Sequence, residues 1–252
     1  MEQIFKTKKK TPEQIAKFAL EFFRKNAAPK KARQGQKFFK EPVKLYGFST
    51  QEIRKFEKEL YQIVKSYWNI DDALKLCEIL LPNSYLEPKG IAIFMLAKYS
   101  NDFPTELFLK IKKWLSLNYC NNWATIDYLC SLIMYPLLMK YPELIEKLKE
   151  WTNSSNRWIL RSSVVSLVKF ARKGKLLEQV YEISQLLFKD KDDLVQKANG
   201  WLLREAGKTD QTRLENFLLH HGPTIPRTTL RYAIERFDEK KRKQILLKTK
   251  SL

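Results

Sequence analysis

Tryptophans beside charged residues at helical spacing are the chemically most informative feature of this sequence. In three segments an indole lies three or four positions from a charged side chain, which places both groups on one face of a helix. The pairs are Trp123 with Asp127, Trp158 with Arg161, and Trp201 with Arg204. The chain carries a net charge of +19, so a carboxylate among aromatic and cationic groups needs an explanation. Such surroundings suit a nucleic acid whose target base is itself positively charged.

The carboxylate of Asp127 lies among apolar neighbours in the segment WATIDYLC, which predicts partial burial. Burial of an unpaired carboxylate is unfavourable, so the group either pairs with an arginine or is kept for function. A structural ion pair between helices is the ordinary outcome, and the segment alone leaves both interpretations open.

The segment 192–206 combines an indole with cations. Lys197, Trp201, Arg204 and Lys208 recur at helical spacing and are predicted to share one face. Three cations around an indole are suited to gripping a phosphate backbone, with the ring turned toward a sugar or base. A solvated basic face with a half-buried tryptophan is the alternative.

A second cationic segment lies at 155–172. Arg157 and Arg161 are four positions apart with Trp158 between them, and an arginine at such a position can bind a phosphate through two hydrogen bonds. A salt bridge between repeats, to Glu143 or Asp193, is the alternative.

Composition bounds the class of protein. With 44% hydrophobic and 30% charged residues, the chain of 252 residues is typical of a soluble globular protein. Its 3 cysteines lie in apolar stretches and are predicted to be reduced core residues of a cytoplasmic protein. No apolar run approaches the length of a membrane span, and 2 histidines without a cysteine pair at ligand spacing make a metal site improbable.

Positive charge is concentrated at the ends of the chain. Residues 1–44 hold 13 Lys/Arg against 4 Asp/Glu, and residues 227–252 hold 9 against 3. Basic ends favour a polyanionic partner through release of counterions. A lysine-rich genome is the alternative explanation, and an anionic membrane is less favoured because no helix combines a strong apolar face with a basic stripe.

The whole chain shows helical periodicity with short breaks, so we predict an all-α protein. Helix pairs recur about every 35–43 residues, and the three tryptophans are 35 and 43 positions apart. This period is typical of HEAT-like repeats, in which stacked helix pairs line a concave face. We therefore predict one helical-repeat solenoid over 1–252 with a concave basic face, composed of basic N-terminal helices to about 66 and stacked pairs from 67. Thr11 and Ser49 are predicted to begin helices, and residues 122–140 and 155–172 are predicted to be helical. Residues 27–37 are predicted to form a basic loop.

Three segments in order resemble the AlkD-type bacterial alkylpurine DNA glycosylases, a HEAT-like family of DNA alkylation repair enzymes. They are W-x-x-x-D at Trp123 and Asp127, W-I-L-R from Trp158 to Arg161, and QKANGWLLRE at 196–205. The segment 42–55 resembles the entry to the first full repeat of that family. The region 81–90 departs from the family, since prolines stand where helix is expected.

The resemblance implies a role for each matched residue. Asp127 would be the catalytic carboxylate, Trp123 and Trp201 would flank the deoxyribose of the lesion, and Arg161 would lie beside its backbone. The residues that would contact DNA are Arg204, Lys197, Lys208, Trp158, Arg157 and, by a weaker alignment, Phe38.

The chemistry fits these residue types. An N3- or N7-alkylated purine is cationic and already a good leaving group, so one carboxylate can suffice where most glycoside hydrolases use two. The expected activity is base excision repair by a monofunctional hydrolase that acts on alkylated purines in double-stranded DNA. We expect a monomer with no metal, no cofactor, no nucleotide cofactor and no membrane partner. A non-catalytic DNA-binding relative and a protein-binding scaffold are the two rival functions.

Overall fold

The computed structural model describes residues 9–250, and the regular structure of these residues is helical. This confirms the predicted all-α class. No helix within the described range is long and apolar enough to span a bilayer. Contacts group the chain into two compact units, Met1–Ile133 and Met134–Leu252.

The first unit contains seven α-helices within its described part. They are α1 (Pro12–Lys25), α2 (Pro29–Gln36), α3 (Thr50–Val64), α4 (Ile70–Leu80), α5 (Leu86–Leu96), α6 (Leu107–Ser116) and α7 (Trp123–Leu129). A short 3₁₀ segment, Ala97–Asp102, extends α5.

Side-chain caps fix where several of these helices begin. The side chains of Thr11 and Ser49 each accept a hydrogen bond from the backbone N–H of the third helical residue, and the side chain of that residue accepts one from the backbone N–H of the cap. These reciprocal bonds satisfy backbone N–H groups that a helix start leaves without partners. The predicted starts of α1 and α3 are therefore confirmed.

Helix α5 is the centre of the first unit, since every one of its residues is buried. Two of those residues are charged, and each bonds to backbone instead of to an opposite charge. The Glu87 carboxylate accepts from the N–H groups of Gly47, at 2.8 Å, and Phe48, at 3.2 Å. The Lys89 ammonium donates to the carbonyls of Leu81 and Tyr119, and burial lowers its pKa. Both charges thus tie loops to the central helix.

The second unit contains nine α-helices within its described part. They are α8 (Tyr135–Lys140), α9 (Leu144–Lys149), α10 (Arg157–Val165), α11 (Val168–Arg172), α12 (Leu177–Leu186), α13 (Asp193–Ala206), α14 (Gln211–His221), α15 (Arg227–Ala233) and α16 (Glu239–Lys248).

A close contact between two helices of this unit depends on a glycine. A Cβ built on Gly200 of α13 would lie 2.5 Å from the carbonyl oxygen of Thr229 and 2.4 Å from the Cβ of Tyr232. Both neighbours belong to α15. Helix α13 therefore packs directly against the backbone of α15 at this point.

Two expectations about secondary structure were wrong, and a third was right apart from a local irregularity. The predicted basic loop at 27–37 contains helix α2, which begins with Pro29 at a position where its missing N–H is not needed. The predicted helix 122–140 is helical over 123–140 but includes a π-helical segment, Cys130–Met134, just before Pro136. Proline cannot donate the intrahelical hydrogen bond, which accounts for this irregularity. The predicted helix 155–172 is divided into α10 and α11.

Candidate functional site

Helix α7 places Trp123 and Asp127 one turn apart. It begins after Asn122, a buried cap whose side chain accepts from the backbone N–H of Thr125 at 3.0 Å. The Thr125 hydroxyl donates in return to the Asn122 carbonyl, also at 3.0 Å. Both Trp123 and Asp127 are half-buried, as their apolar neighbours predicted. The cap therefore fixes the helix that carries the tryptophan–carboxylate pair.

The two side chains line a cavity of about 900 Å³ in the first unit. Its lining also includes Tyr128 of α7 and residues of α2, α3 and the segment between them, among them Lys31, Gln34, Gly35, Phe38, Phe39, Leu45, Gly47, Phe48, Ser49, Thr50 and Glu52. The expected site residues Asp127, Trp123 and Phe38 are thus brought together in one cavity.

Phe39 is a member of this site that the sequence did not identify. Its ring stacks on Trp123, with centroids 5.1 Å apart and an angle of 25° between the planes. The adjacent Phe38, the expected aromatic, is instead 77% exposed. A pair of phenylalanines at the end of a basic segment was the available signal, but it did not tell which ring meets the tryptophan.

Tyr128 anchors the acid-bearing helix to its neighbours. Its hydroxyl is 2.6 Å from the hydroxyl of Thr50, the first residue of α3. Its ring packs edge-on against Phe94 of α5 at 4.9 Å. These contacts hold the residue next to Asp127 on two other helices, so the carboxylate belongs to a rigid wall of the cavity.

The lining of the cavity also contains a second acid, Glu52. Glu52 bonds the backbone and side chain of Ser49 and the ammonium of Lys31, the last at 3.1 Å. These bonds, with the backbone of Ser49 first, lower the pKa of Glu52 to about 2. The Glu52 carboxylate is therefore ionised at neutral pH and keeps Lys31 paired.

Asp127 is half-buried and interacts with other groups of the protein. A carboxylate that loses water on partial burial requires such compensation. Asp127 is thus a solvent-accessible acid of the cavity wall that is held by the protein.

In the second unit, the arginines of α10 are engaged with α13. Arg161 is buried, and its Nη1 donates to the carbonyl of Leu194 at 2.7 Å. Arg157 forms an ion pair with Asp192, the side chain that caps α13. Trp158 is only 5% exposed and belongs to the core, so little of the indole is available for the expected contact with DNA. The apolar positions of α10 face inward, and the indole is one of them.

The cations of α13 are also paired. Lys197 lies 2.8 Å from Asp193, Arg204 pairs with Glu235, and Lys208 lies 2.7 Å from Glu205. The basic face predicted for this segment therefore carries acids beside its cations. Because each cation has a nearby acid, the local field is much weaker than the count of cations suggests. Trp201, between them along the helix, is half-buried.

Glu205 is the centre of this ion network. Its carboxylate is 2% exposed and accepts hydrogen bonds from Arg172 and Lys208, both at 2.7 Å. Burial raises the pKa of Glu205, but the bonds from Lys208 and Arg172 outweigh it and leave the pKa below its usual value. The glutamate that ends the QKANGWLLRE segment is therefore a structural anion.

Comparison with known proteins places the chain in a family. A family model described as DNA alkylation repair enzyme matches residues 19–237. The solved structure of a predicted DNA alkylation repair enzyme from Enterococcus faecalis is similar, with a TM-score of 0.74 and 15% sequence identity. The similarity covers 85% of this chain and 98% of that one. No curated protein sequence matches the chain.

The structural similarity supports the helical-repeat fold, and the family match extends over most of the sequence. It includes both units and every residue of the cavity wall described above. The protein belongs to the DNA alkylation repair enzyme family.

Proposed function

We propose that this protein is a monofunctional DNA glycosylase. It hydrolyses the N-glycosidic bond of cationic N3- or N7-alkylated purines in double-stranded DNA and leaves an abasic site. The observation that carries the proposal is the position of Asp127, one helical turn from Trp123 in the wall of a cavity of about 900 Å³. A cavity of this size is at the upper end of the usual range for ligand sites, about 300–1,000 Å³.

The proposed reaction needs one carboxylate. The bond between C1′ and the purine nitrogen breaks, and its electron pair neutralises the cationic base as the base leaves. The sugar becomes oxocarbenium-like, and the ionised Asp127 stabilises that positive charge. A water that Asp127 orients then bonds to C1′ and gives up a proton to the carboxylate or to solvent.

Trp123 contributes through its aromatic face. A ring held beside a developing positive charge attracts it through the ring quadrupole. The stacking of Phe39 on Trp123, at 5.1 Å, fixes the orientation of the indole before substrate arrives. Phe39 is therefore proposed to be a positioning residue for Trp123.

Hydrolysis without strand cleavage is expected from the contacts of Lys31, the lysine that lines the cavity. Lys31 lines the cavity, but its ammonium is 3.1 Å from the ionised Glu52. The Lys31 ammonium is engaged by this carboxylate, so we do not assign it as a Schiff-base nucleophile. We assign no nucleophilic lysine.

The residues of the second unit are proposed to bind the substrate. Arg161 is assigned to the backbone beside the lesion and Trp201 to the deoxyribose, as the resemblance implies. Lys197, Arg204 and Lys208 are assigned to phosphates. Since each of these three is paired with an acid, a phosphate must compete with that acid, which limits the contribution of each contact.

Release of 7-methylguanine from methylated DNA tests the proposal. Wild-type protein is expected to release the base, and Asp127→Asn is expected to abolish release because an amide cannot stabilise the oxocarbenium charge. The affinity of Asp127→Asn for duplex DNA should remain nearly unchanged. Asn122→Ala, which removes only the cap of α7, is a control for helix destabilisation and should retain measurable release.

Two results would contradict the proposal. Full activity of Asp127→Asn would remove the carboxylate from the mechanism. Salt-dependent DNA binding by wild-type protein without any release of 7-methylguanine or 3-methyladenine would favour a non-catalytic DNA-binding protein instead.

A further inference from the structure

Two adjacent phenylalanines after α2 have opposite environments. Phe39 stacks on Trp123, whereas Phe38 is 77% exposed and is the most exposed large apolar side chain within residues 9–250. A single exposed ring is common on protein surfaces and carries no argument alone. The argument here comes from how the ring is held and from what surrounds it.

One side chain organises the loop that presents Phe38. The amide nitrogen of Gln36 donates to the carbonyls of Glu41, at 2.9 Å, and Phe39, at 3.3 Å. Its amide oxygen accepts from the backbone N–H of Val43 at 2.7 Å. With three bonds, Gln36 fixes the loop on both sides of Phe38. A ring that is already held in place loses little conformational entropy when it binds a partner.

The same segment is strongly basic. Residues 29–44 contain six Lys/Arg residues and one acid, Glu41. The cations are Lys30, Lys31, Arg33, Lys37, Lys40 and Lys44. No residue of α2 is buried, so this helix lies wholly at the surface. Such a cationic surface favours a polyanion, and an aromatic tip suits a partner that also offers stacked rings.

The exposed ring also lies beside the proposed catalytic group. Phe38 and Asp127 line one cavity, together with Trp123. A duplex whose damaged nucleotide meets Asp127 therefore places neighbouring bases within reach of Phe38.

We propose that Phe38 inserts into the base stack from the minor groove, next to the damaged nucleotide, while the cations of α2 hold the flanking phosphates. Apolar wedges with adjacent Lys or Arg unstack base steps and kink duplex DNA in other minor-groove binders. Insertion of Phe38 opens the stack and brings the sugar toward Asp127. This inference rests on the proposed function for the choice of substrate.

Unstacking and bending can be measured without catalysis. The probe is a duplex with a tetrahydrofuran abasic-site analogue, which cannot be excised, and 2-aminopurine as its neighbour. Wild-type protein should raise the 2-aminopurine fluorescence, and end-labelled duplex should show bending by energy transfer. Phe38→Ala should lose both signals and weaken binding about 5- to 150-fold, as loss of one stacking aromatic does.

Matched variants separate the wedge from other effects. Leu109→Ala removes another exposed apolar side chain, 65% exposed on α6, and should leave both signals intact. Phe38→Trp should keep the unstacking signal that Phe38→Ala loses, because tryptophan supplies a larger ring. Gln36→Ala keeps Phe38 but frees the loop, so its unstacking signal should be intermediate. Equal signals from wild type and Phe38→Ala at saturating protein, or no signal from wild type, would overturn the proposal.

Failure of this proposal can be distinguished from failure of the glycosylase proposal. If the duplex is unstacked through Phe38 but 7-methylguanine is not released, the wedge stands and the catalytic assignment fails. If release depends on Asp127 while Phe38→Ala unstacks the duplex normally, the catalytic assignment stands and the wedge fails.

Discussion

At the scale of single residues, the sequence indicated several side chains of the candidate site, but it did not indicate which residues they contact. Asp127 and Trp123 were expected on one half-buried helical face because a spacing of four is a local property of the helix. Phe39 was missed because its stacking on Trp123 depends on how distant segments pack. The partner of Arg204 was missed for the same reason, since Glu235 is 31 positions away.

Glu205 offers a test of the ion network through pH. Because its pKa is lowered in the folded protein, its contribution to stability is present above the unfolded pKa, about 4.3. That contribution is lost as the pH falls through the folded pKa. Glu205→Gln should therefore be less stable than wild type at pH 7, by about 1–3 kcal/mol. Urea unfolding at pH 7, 5 and 3 should show the difference shrinking toward the acid end. A difference independent of pH would show that Arg172 and Lys208 are not stabilised by this charge.

At the scale of elements, local patterns predicted the helix starts but not the interruptions. Thr11 and Ser49 cap α1 and α3 as expected, since a cap and its partner are three residues apart. The π-helical segment Cys130–Met134 was not expected, although Pro136 gave a signal for a break. A proline indicates that a helix is perturbed, but it does not indicate whether the helix bends, ends or forms a π-helical turn.

Two helical glycines provide a matched pair of variants. Gly200→Ala should destabilise the protein, by about 1–3 kcal/mol or more, because the new methyl group would meet the backbone of α15. Gly90→Ala should be neutral or stabilising by up to about 1 kcal/mol, since its Cβ would lie 3.4 Å from the Ile53 side chain and alanine favours the helix. Chemical denaturation of both variants checks this. Equal behaviour of the two would show that α13 and α15 can separate without loss of stability.

At the scale of the whole molecule, composition and periodicity established the class of fold. A net charge of +19 and helical spacing throughout predicted a basic all-α protein with paired helices. The distribution of free and paired cations could not be predicted, because pairing depends on which acids the fold brings near. The spacing of Lys197, Arg204 and Lys208 in the sequence is the same whether or not the fold places acids beside them.

The whole-molecule charge predicts the dependence of DNA binding on salt. Affinity for duplex DNA should fall linearly with salt on logarithmic axes, by about 0.9 in slope for each phosphate contact. Arg33→Ala, on the surface helix α2, should reduce the slope by about that amount. Lys197→Ala should reduce it less, because its ammonium is already paired with Asp193 at 2.8 Å. Titrations at several salt concentrations would contradict this if both variants changed the slope equally.

The contact at Gly200 affects how related sequences should be interpreted. In the recognisable segment QKANGWLLRE, the glycine is required by the close approach of two helices and the final glutamate by an internal ion network. Gly200 and Glu205 therefore reflect the packing of the second unit and not its chemistry. A sequence that keeps them while carrying a neutral residue at the position of Asp127 would inherit the scaffold without the proposed chemistry. Surveys that seek active enzymes should accordingly require an acid at the position of Asp127, because Gly200 and Glu205 indicate only the scaffold.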